Sequence, residues 1–309
     1  MDTLLSERER LWDMHPIICE AAVLPTASVQ NAVGAILNGS RKARFSHAFW
    51  ADPCTGKSSC LDAIANHIDS EHPQCGVLRY EAMADERTAE GRLLEDMLLQ
   101  MELGGRIVHS LAGKRDQLTR ALLALAGADM HVFILVDEAQ ELYLRELNWL
   151  KAVINKLVKK RVKVTTVLMG QSQLLDRVDE LKKAGRRDLI ERFFKRFIEF
   201  KGCGTVGDFS TICEAVDIKS EYPEGSGWTY TQFLFPQAHA AGFRLQSQAL
   251  VLWEHLIASL SAAEVERGIA MEAIAGYLAQ LCLLHKDKDG AGMELQEILL
   301  RRAAKEAFR

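Results

Sequence analysis

Residues 131–137, HVFILVD, are almost wholly apolar, as a strand buried on both faces of a parallel sheet requires. A parallel sheet needs long crossovers between its strands, and the flanking sequence supplies them. FSHAFW (45–50), CGVLRYEAM (75–83), VKVTTVLMG (162–170) and FIEFKG (197–202) read as further strands. Between them KSSCLDAIANHI, RLLEDMLLQMEL, DQLTRALLALA and a stretch over roughly 139–159 carry helical patterns. Strand alternating with helix predicts an α/β fold built on a parallel sheet. After Gly202-Cys203-Gly204 the strands stop, and DFSTICEAVDI, RLQSQALVLWEHLIASL and AEVERGIAMEAIAGYLAQLCLL predict a helical region. The expected organisation is an N-terminal extension with little core of its own (1–44), an α/β domain (45–203) and a helical domain with its tail (204–309).

Composition narrows the function classes. The opening MDTLLSERERLW carries charges throughout, and no later apolar run approaches the roughly 18 residues of a membrane helix. Seven scattered cysteines without a C-x-x-C pair point to free thiols in a reducing cytoplasm. There is no H-E-x-x-H, and DKDG at 287–290 lacks the further acidic ligands of a calcium loop, so it reads as a turn. A net charge of −4 conceals an asymmetry: Lys151–Lys201 holds 15 Lys/Arg against 6 Asp/Glu. Such a block is a candidate polyanion surface, or a solvated helix face.

WADPCTGKSSC, residues 50–60, lies between a predicted strand and a predicted helix. It matches the phosphate-loop pattern G-x-x-x-x-G-K-[ST] at Gly56, Lys57 and Ser58, with Ala51 where the first glycine is expected. In such a loop the backbone N–H groups and the helix N-terminus converge on phosphates, Lys reaches the β and γ oxygens, and Ser binds magnesium. Asp52, Pro53, Cys54, Thr55, Gly56, Lys57, Ser58 and Ser59 are therefore the expected ATP contacts. Asp137 and Glu138 end the apolar strand, 80 residues beyond Lys57. Two carboxylates there have separate work: Asp137 with Ser58 holds Mg²⁺, and Glu138 polarises the attacking water. Gln171, just past the following strand, can reach the γ-phosphate or that water, or can serve as an ordinary helix cap.

Phosphate loop, D-E-A-Q, V-L-M-G-Q at 167–171 and an arginine-rich R-R-D-L-I-E-R-F-F-K-R-F at 186–197 together resemble an AAA+ ATPase with a helical lid. More narrowly they are similar to the target-selecting ATPases of transposons, the group of transposition proteins B and C and the phage Mu B protein. That resemblance spans roughly 30–285 and implies ATP-dependent assembly on double-stranded target DNA, as a ring or helical filament. It also implies recruitment of a transposase, with a target-site selector protein as further partner. It makes Arg244, in G-F-R at 242–244, the candidate second sensor. Ala51 and Gln171 depart from the group's pattern and bear on the hydrolysis rate.

An arginine finger from a neighbouring copy makes hydrolysis depend on assembly. Arg187 and Arg192 are the candidates; on a helix Arg192 and Arg196 share a face while Arg186 and Arg187 precede it. Lys159, Lys160, Arg161, Lys163, Lys182 and Lys183 flank the fourth strand and could neutralise DNA phosphates with little base reading. Trp228, Tyr230, Phe233 and Phe235 fit either a partner site or packing within the lid. Two rival functions keep the nucleotide site: an initiator-like or helicase-loading ATPase, and a nucleotide-gated signalling or defence scaffold without turnover.

Overall fold

The structure, a computed structural model, describes residues 8–84, 89–102 and 104–308. The chain forms two compact units. One holds Asn31–Pro53 and Lys57–Phe200; the other holds the residues up to Gln30, Cys54–Gly56, and those from Lys201 onward.

The first unit is built on five strands, β1 (Arg44–Ala51), β2 (Gly76–Glu81), β3 (His131–Asp137), β4 (Lys163–Gln171) and β5 (Phe197–Glu199). They form one parallel sheet in the order β2-β3-β4-β1-β5. Its helices are α1 (Ala27–Gly39), α2 (Lys57–Glu71), α3 (Glu90–Gln100), α4 (Leu111–Leu125), α5 (Leu144–Lys159) and α6 (Gln173–Lys183). Val132, Phe133, Ile134, Leu135 and Val136 are each at most 1% exposed. Burial of such side chains stabilises by about 1.5–3 kcal/mol apiece, and only a strand covered on both faces collects it at consecutive positions. The connection out of β1 leads to the β2 side of the sheet and the one out of β4 leads to β5 on the other. A crevice therefore opens at the carboxyl ends of the adjacent β1 and β4, where ligands bind in open α/β sheets.

Two helices of this unit differ from their sequence-based outlines. The stretch expected to be helical over 139–159 starts as a 3₁₀ turn, Ala139–Glu141, and becomes α5 only at Leu144. Glu138 leaves β3 with φ 49°, a left-handed residue that cannot begin a right-handed helix, and the Glu146 carboxylate accepts from the Tyr143 N–H (2.8 Å) to restart the chain. The arginine-rich segment is likewise no single helix. A short turn at Arg187–Leu189 passes into a π-helical turn at Ile190–Phe194, and Arg196 lies beyond it, its guanidinium 4.8 Å from the Phe45 ring centroid. Arg192 and Arg196 thus do not share a helix face, because the chain is already turning into β5.

The free edge of β2 is capped at its carboxyl end. The Gln100 side chain accepts from the Glu81 N–H (2.7 Å) and donates to its carbonyl (3.0 Å), while Gly76 lies so close to the Leu125 carbonyl that a Cβ there would sit 2.0 Å from its oxygen.

The second unit is helical: α7 (Val206–Ile218), α8 (Ala249–Ile257), α9 (Met271–His285) and α10 (Glu297–Ala307). Thr205 and Asp208 cap α7 reciprocally, a fold-start signal written in the sequence. Phe209, Leu252, Tyr277, Leu281 and Leu300 fill the core, and Trp12 and Ile17 of the N-terminal segment join it. Phe233 and Phe235 are fully buried and Trp228 nearly so, which makes the aromatic loop part of this core. The expected helix over 244–260 begins as a 3₁₀ turn, Gln246–Gln248, before α8. Buried Asp217 fixes that turn by accepting from the Leu245 and Gln246 N–H groups (3.1 and 2.8 Å) and from the Thr231 hydroxyl (2.5 Å). Among the described residues no helix is long and apolar enough to cross a membrane.

Candidate nucleotide site and basic edge

The loop after β1 accommodates its odd residue without strain. Ala51 is the last residue of β1, fully buried and in register with Gln171. The left-handed turns that favour glycine fall further on, at Cys54 (φ 60°) and Gly56 (φ 89°). One of these two positions is glycine, Gly56, and Cys54 holds the other in the left-handed region that L side chains rarely adopt. Lys57 opens α2, is 7% exposed, and donates its ammonium to the Asp52 carbonyl (2.9 Å). Ser58 and Ser59 are exposed on the first turn.

The carboxyl ends of β3 and β4 meet this loop. The Ser58 hydroxyl donates to Asp137 Oδ2 (2.6 Å), and Asp137 Oδ1 accepts from the Glu138 N–H (2.9 Å). The left-handed Glu138 directs its carboxylate back toward β4, where Oε2 accepts from the Gln140 and Gln171 amides (2.5 and 3.2 Å). Gln140 Oε1 in turn accepts from the Gln171 N–H (2.9 Å). A Cβ on Gly170 would approach Gln140 Oε1 to 2.8 Å, so the glycine of V-L-M-G-Q makes room for that amide. Arg177 on α6 completes the cluster: it donates to the Gln140 carbonyl (2.9 Å), pairs with Glu180 (2.8 Å) and stacks 3.9 Å over Tyr143.

Gln140 and Arg177 were not among the expected site residues. Gln140 stands two positions beyond Glu138 in a quoted motif, but its bridging role depends on the positive φ of Glu138 and has no local signal. The all-oxygen donor set of Ser58 and Asp137, two hard ligands in contact, fits a small divalent cation such as Mg²⁺.

The cations gather at the opposite end of the same sheet. Lys163 begins β4, Arg44 begins β1 opposite Val164, and Lys159, Lys160 and Arg161 form the exposed turn before β4. Lys182 and Lys183 are exposed at the end of α6, with Lys182 paired to Asp179 (2.8 Å). Arg186 donates twice to Asp188 (2.9 and 2.8 Å) and once to Asn148 (2.5 Å). Together with Lys151 it holds the Asp188 carboxyl well below the usual carboxylate range. Arg187 is exposed and has no side-chain partner among the described residues. Arg192 is half-buried and donates to Asn155 (2.8 Å). In the helical unit, Arg244 donates to the carbonyls of His239 and Phe243 (3.0 and 2.6 Å), just before the turn braced by Asp217.

Comparison with known proteins fits this geometry. Residues 43–178 match a family described as an AAA domain, so the chain carries an AAA-type P-loop ATPase domain. No curated protein matches the chain in sequence. Among solved structures it is similar to the Aeropyrum pernix ORC2 protein (TM-score 0.59, 11% identity, 94% of this chain and 71% of that one). It is similar also to Cdc6p from Pyrobaculum aerophilum (TM-score 0.54, 14% identity, 90% and 66%). A third likeness is to the Aeropyrum pernix ORC1 protein in complex with DNA (TM-score 0.50, 13% identity, 94% and 69%). At such identities the likeness is one of fold, and the chain spans only part of each longer protein.

Proposed function

We propose that this chain is an ATP-hydrolysing, DNA-binding AAA+ regulator of the initiator-like class, a cytoplasmic protein that assembles into homo-oligomers on double-stranded DNA when ATP is bound. The observation that carries the reading is the cross-linked cluster at the carboxyl end of the sheet, Ser58 on Asp137 and Gln171 on Glu138. In it the Lys57 ammonium exchanges its loop carbonyl for phosphate oxygens, with the N–H groups of the loop and of α2 converging on the same charge. Mg²⁺, held by Ser58 and Asp137, would neutralise charge on the β and γ oxygens. Glu138 has one oxygen fixed by two amides and the other without a partner among the described residues, the arrangement of a base that orients a water. Gln171 bridges that base and the γ-phosphate. Arg187, exposed and unpaired, is the preferred finger for a neighbour's nucleotide, and Arg192 the second candidate. Arg244 is the second-sensor candidate that the sequence resemblance offers.

The preference for an initiator-like role draws support from the fold likeness to ORC2, Cdc6p and ORC1, the last of them solved with DNA. A role in transposition, with transposase and target selector as partners, has the sequence similarity at 167–171 and 186–197 as its support. The test is phosphate release and duplex binding by purified protein. ATP-dependent duplex binding with turnover, lost in Glu138→Gln, is the expected result. A protein that binds ATP but shows neither turnover nor a duplex shift at low salt would instead be a signalling scaffold.

A further inference from the structure

We infer that the concavity at the amino end of β1 is a second anion site, built for the phosphodiesters of a nucleic-acid backbone; this rests on the DNA-binding reading above and locates where a phosphate sits. The cavity, about 390 Å³, is lined by Lys42, Arg44, Arg192, Lys195 and Arg196 with Phe45, and by the acids Asp188 and Glu191. Both acids are already engaged. Asp188 is held by Arg186 and Lys151, and Glu191 pairs with Lys195 (3.3 Å). Lys42, Arg44, Arg192 and Arg196 therefore face the cavity with no carboxylate partner among the described residues.

Two of these four charges are held in place. Arg192 is anchored by the neutral amide of Asn155 (2.8 Å). Burial, and then the nearby Arg44 charge, press its guanidinium below its usual range. Arg196 rests over the Phe45 ring (4.8 Å), and its carbonyl accepts from the Ala48 N–H (2.8 Å), which pins it to β1. Like charges gathered around one cavity destabilise one another, and an anion reverses the sign of that interaction. Three of the four are guanidiniums, whose planar forks match phosphate oxygens two at a time.

A polymer fits better than a free phosphate because the charge continues along the sheet edge. Arg44 is in register with Val164, beside Lys163, and Arg161 and Lys160 precede it. Successive phosphates could follow that row from the cavity outward, giving binding that tolerates sequence and is sensitive to salt.

The experiment is equilibrium duplex binding by the full chain, saturated with ATP, between about 50 and 200 mM salt. It compares wild type with the double variant Arg44→Ala/Arg196→Ala, with Arg44→Lys/Arg196→Lys as the charge-preserving control. The alanine variant should bind about 10–100-fold more weakly at the low-salt end, with a salt slope shallower by roughly 2, and the lysine variant should recover most of the slope. ATP binding, measured on the same samples, reports folding.

An unchanged slope in the alanine variant overturns the inference while leaving DNA binding itself intact. Unchanged duplex affinity with loss of ATP-dependent assembly overturns it too, since the cavity would then be a contact between copies. If wild type bound no duplex, the parent reading would fall. Tripolyphosphate binding to the ATP-saturated protein would then decide, and equal binding by wild type and alanine variant would overturn the site.

Discussion

The two ends of one parallel sheet carry opposite chemistry. At the carboxyl end β1, β3 and β4 finish in Ala51, Asp137 and Gln171, and the polar groups there are tied to one another: hydroxyl to carboxylate, carboxylate to amide, amide to backbone. At the amino end the same strands begin with Arg44, His131 and Lys163, and the cations around them are mostly exposed and unpaired. An interlocked cluster depends on its geometry, and removing one member weakens the groups it was holding. A row of unpaired cations needs no such register; each contributes a similar increment, and salt weakens them all. The two ends should therefore fail differently, and independently.

The largest separation is expected for Glu138→Gln. Removing the candidate base should lower phosphate release about 10²–10⁴-fold while ATP affinity and duplex affinity stay near wild type. A parallel loss of duplex binding, read by anisotropy, would mean that the two ends are not separable. The converse variant replaces Lys159, Lys160, Arg161 and Lys163 with alanine. Duplex affinity should fall about 10²-fold at low salt and the salt slope by roughly 3–4, with phosphate release in the absence of DNA unchanged.

Gln140→Ala tests whether the carboxyl end works as a network. It strips Glu138 of one donor and leaves the Gln171 N–H unsatisfied, a cost of about 1–3 kcal/mol in denaturant unfolding. A turnover loss of roughly 10-fold should accompany it, about 1.4 kcal/mol in the barrier.

The smallest effect lies between the two ends. His47, midway along β1, is 4% exposed, stacks on Phe49 at 4.3 Å and has neither ring nitrogen hydrogen-bonded. Burial, and then the Arg196 charge, lower its pKa from 6.5 to about 4. The unfolded chain thus takes up this proton below about pH 6.5 while the native imidazole stays neutral, so stability is lost as pH falls through that window. His47→Phe should retain about 1–2 kcal/mol of what wild type loses between pH 7 and pH 5. A melting series over pH is the check, and neither ATP nor duplex affinity at neutral pH should move.

What was legible in the sequence follows from how local each signal is. HVFILVD declared a doubly covered strand because every side chain in it is apolar, and G-K-S announced a loop whose essential contacts are backbone groups of consecutive residues. The structure adds what depends on conformation over longer spans. Gln140 becomes a bridge only because Glu138 is left-handed. Asp217 braces the turn after Arg244 from 28 residues away. The shared helix face of Arg192 and Arg196 dissolved because a π-helical turn intervenes, and the run IERFF carries no breaker to announce it. Trp12 found its place in a core made largely of residues beyond 201, a pairing that no periodicity encodes.

The capped end of β2 has a consequence for how such a chain behaves when crowded. An open sheet edge is a template onto which other chains can stack strands, the first step toward cross-β fibrils. Here the Gln100 amide occupies the last outward main-chain pair of β2, and the opposite edge, β5, is only three residues long. The ladder is thereby shortened at one margin and is short by construction at the other. Strand-by-strand stacking of copies is disfavoured at both margins, and with it the first step of cross-β aggregation.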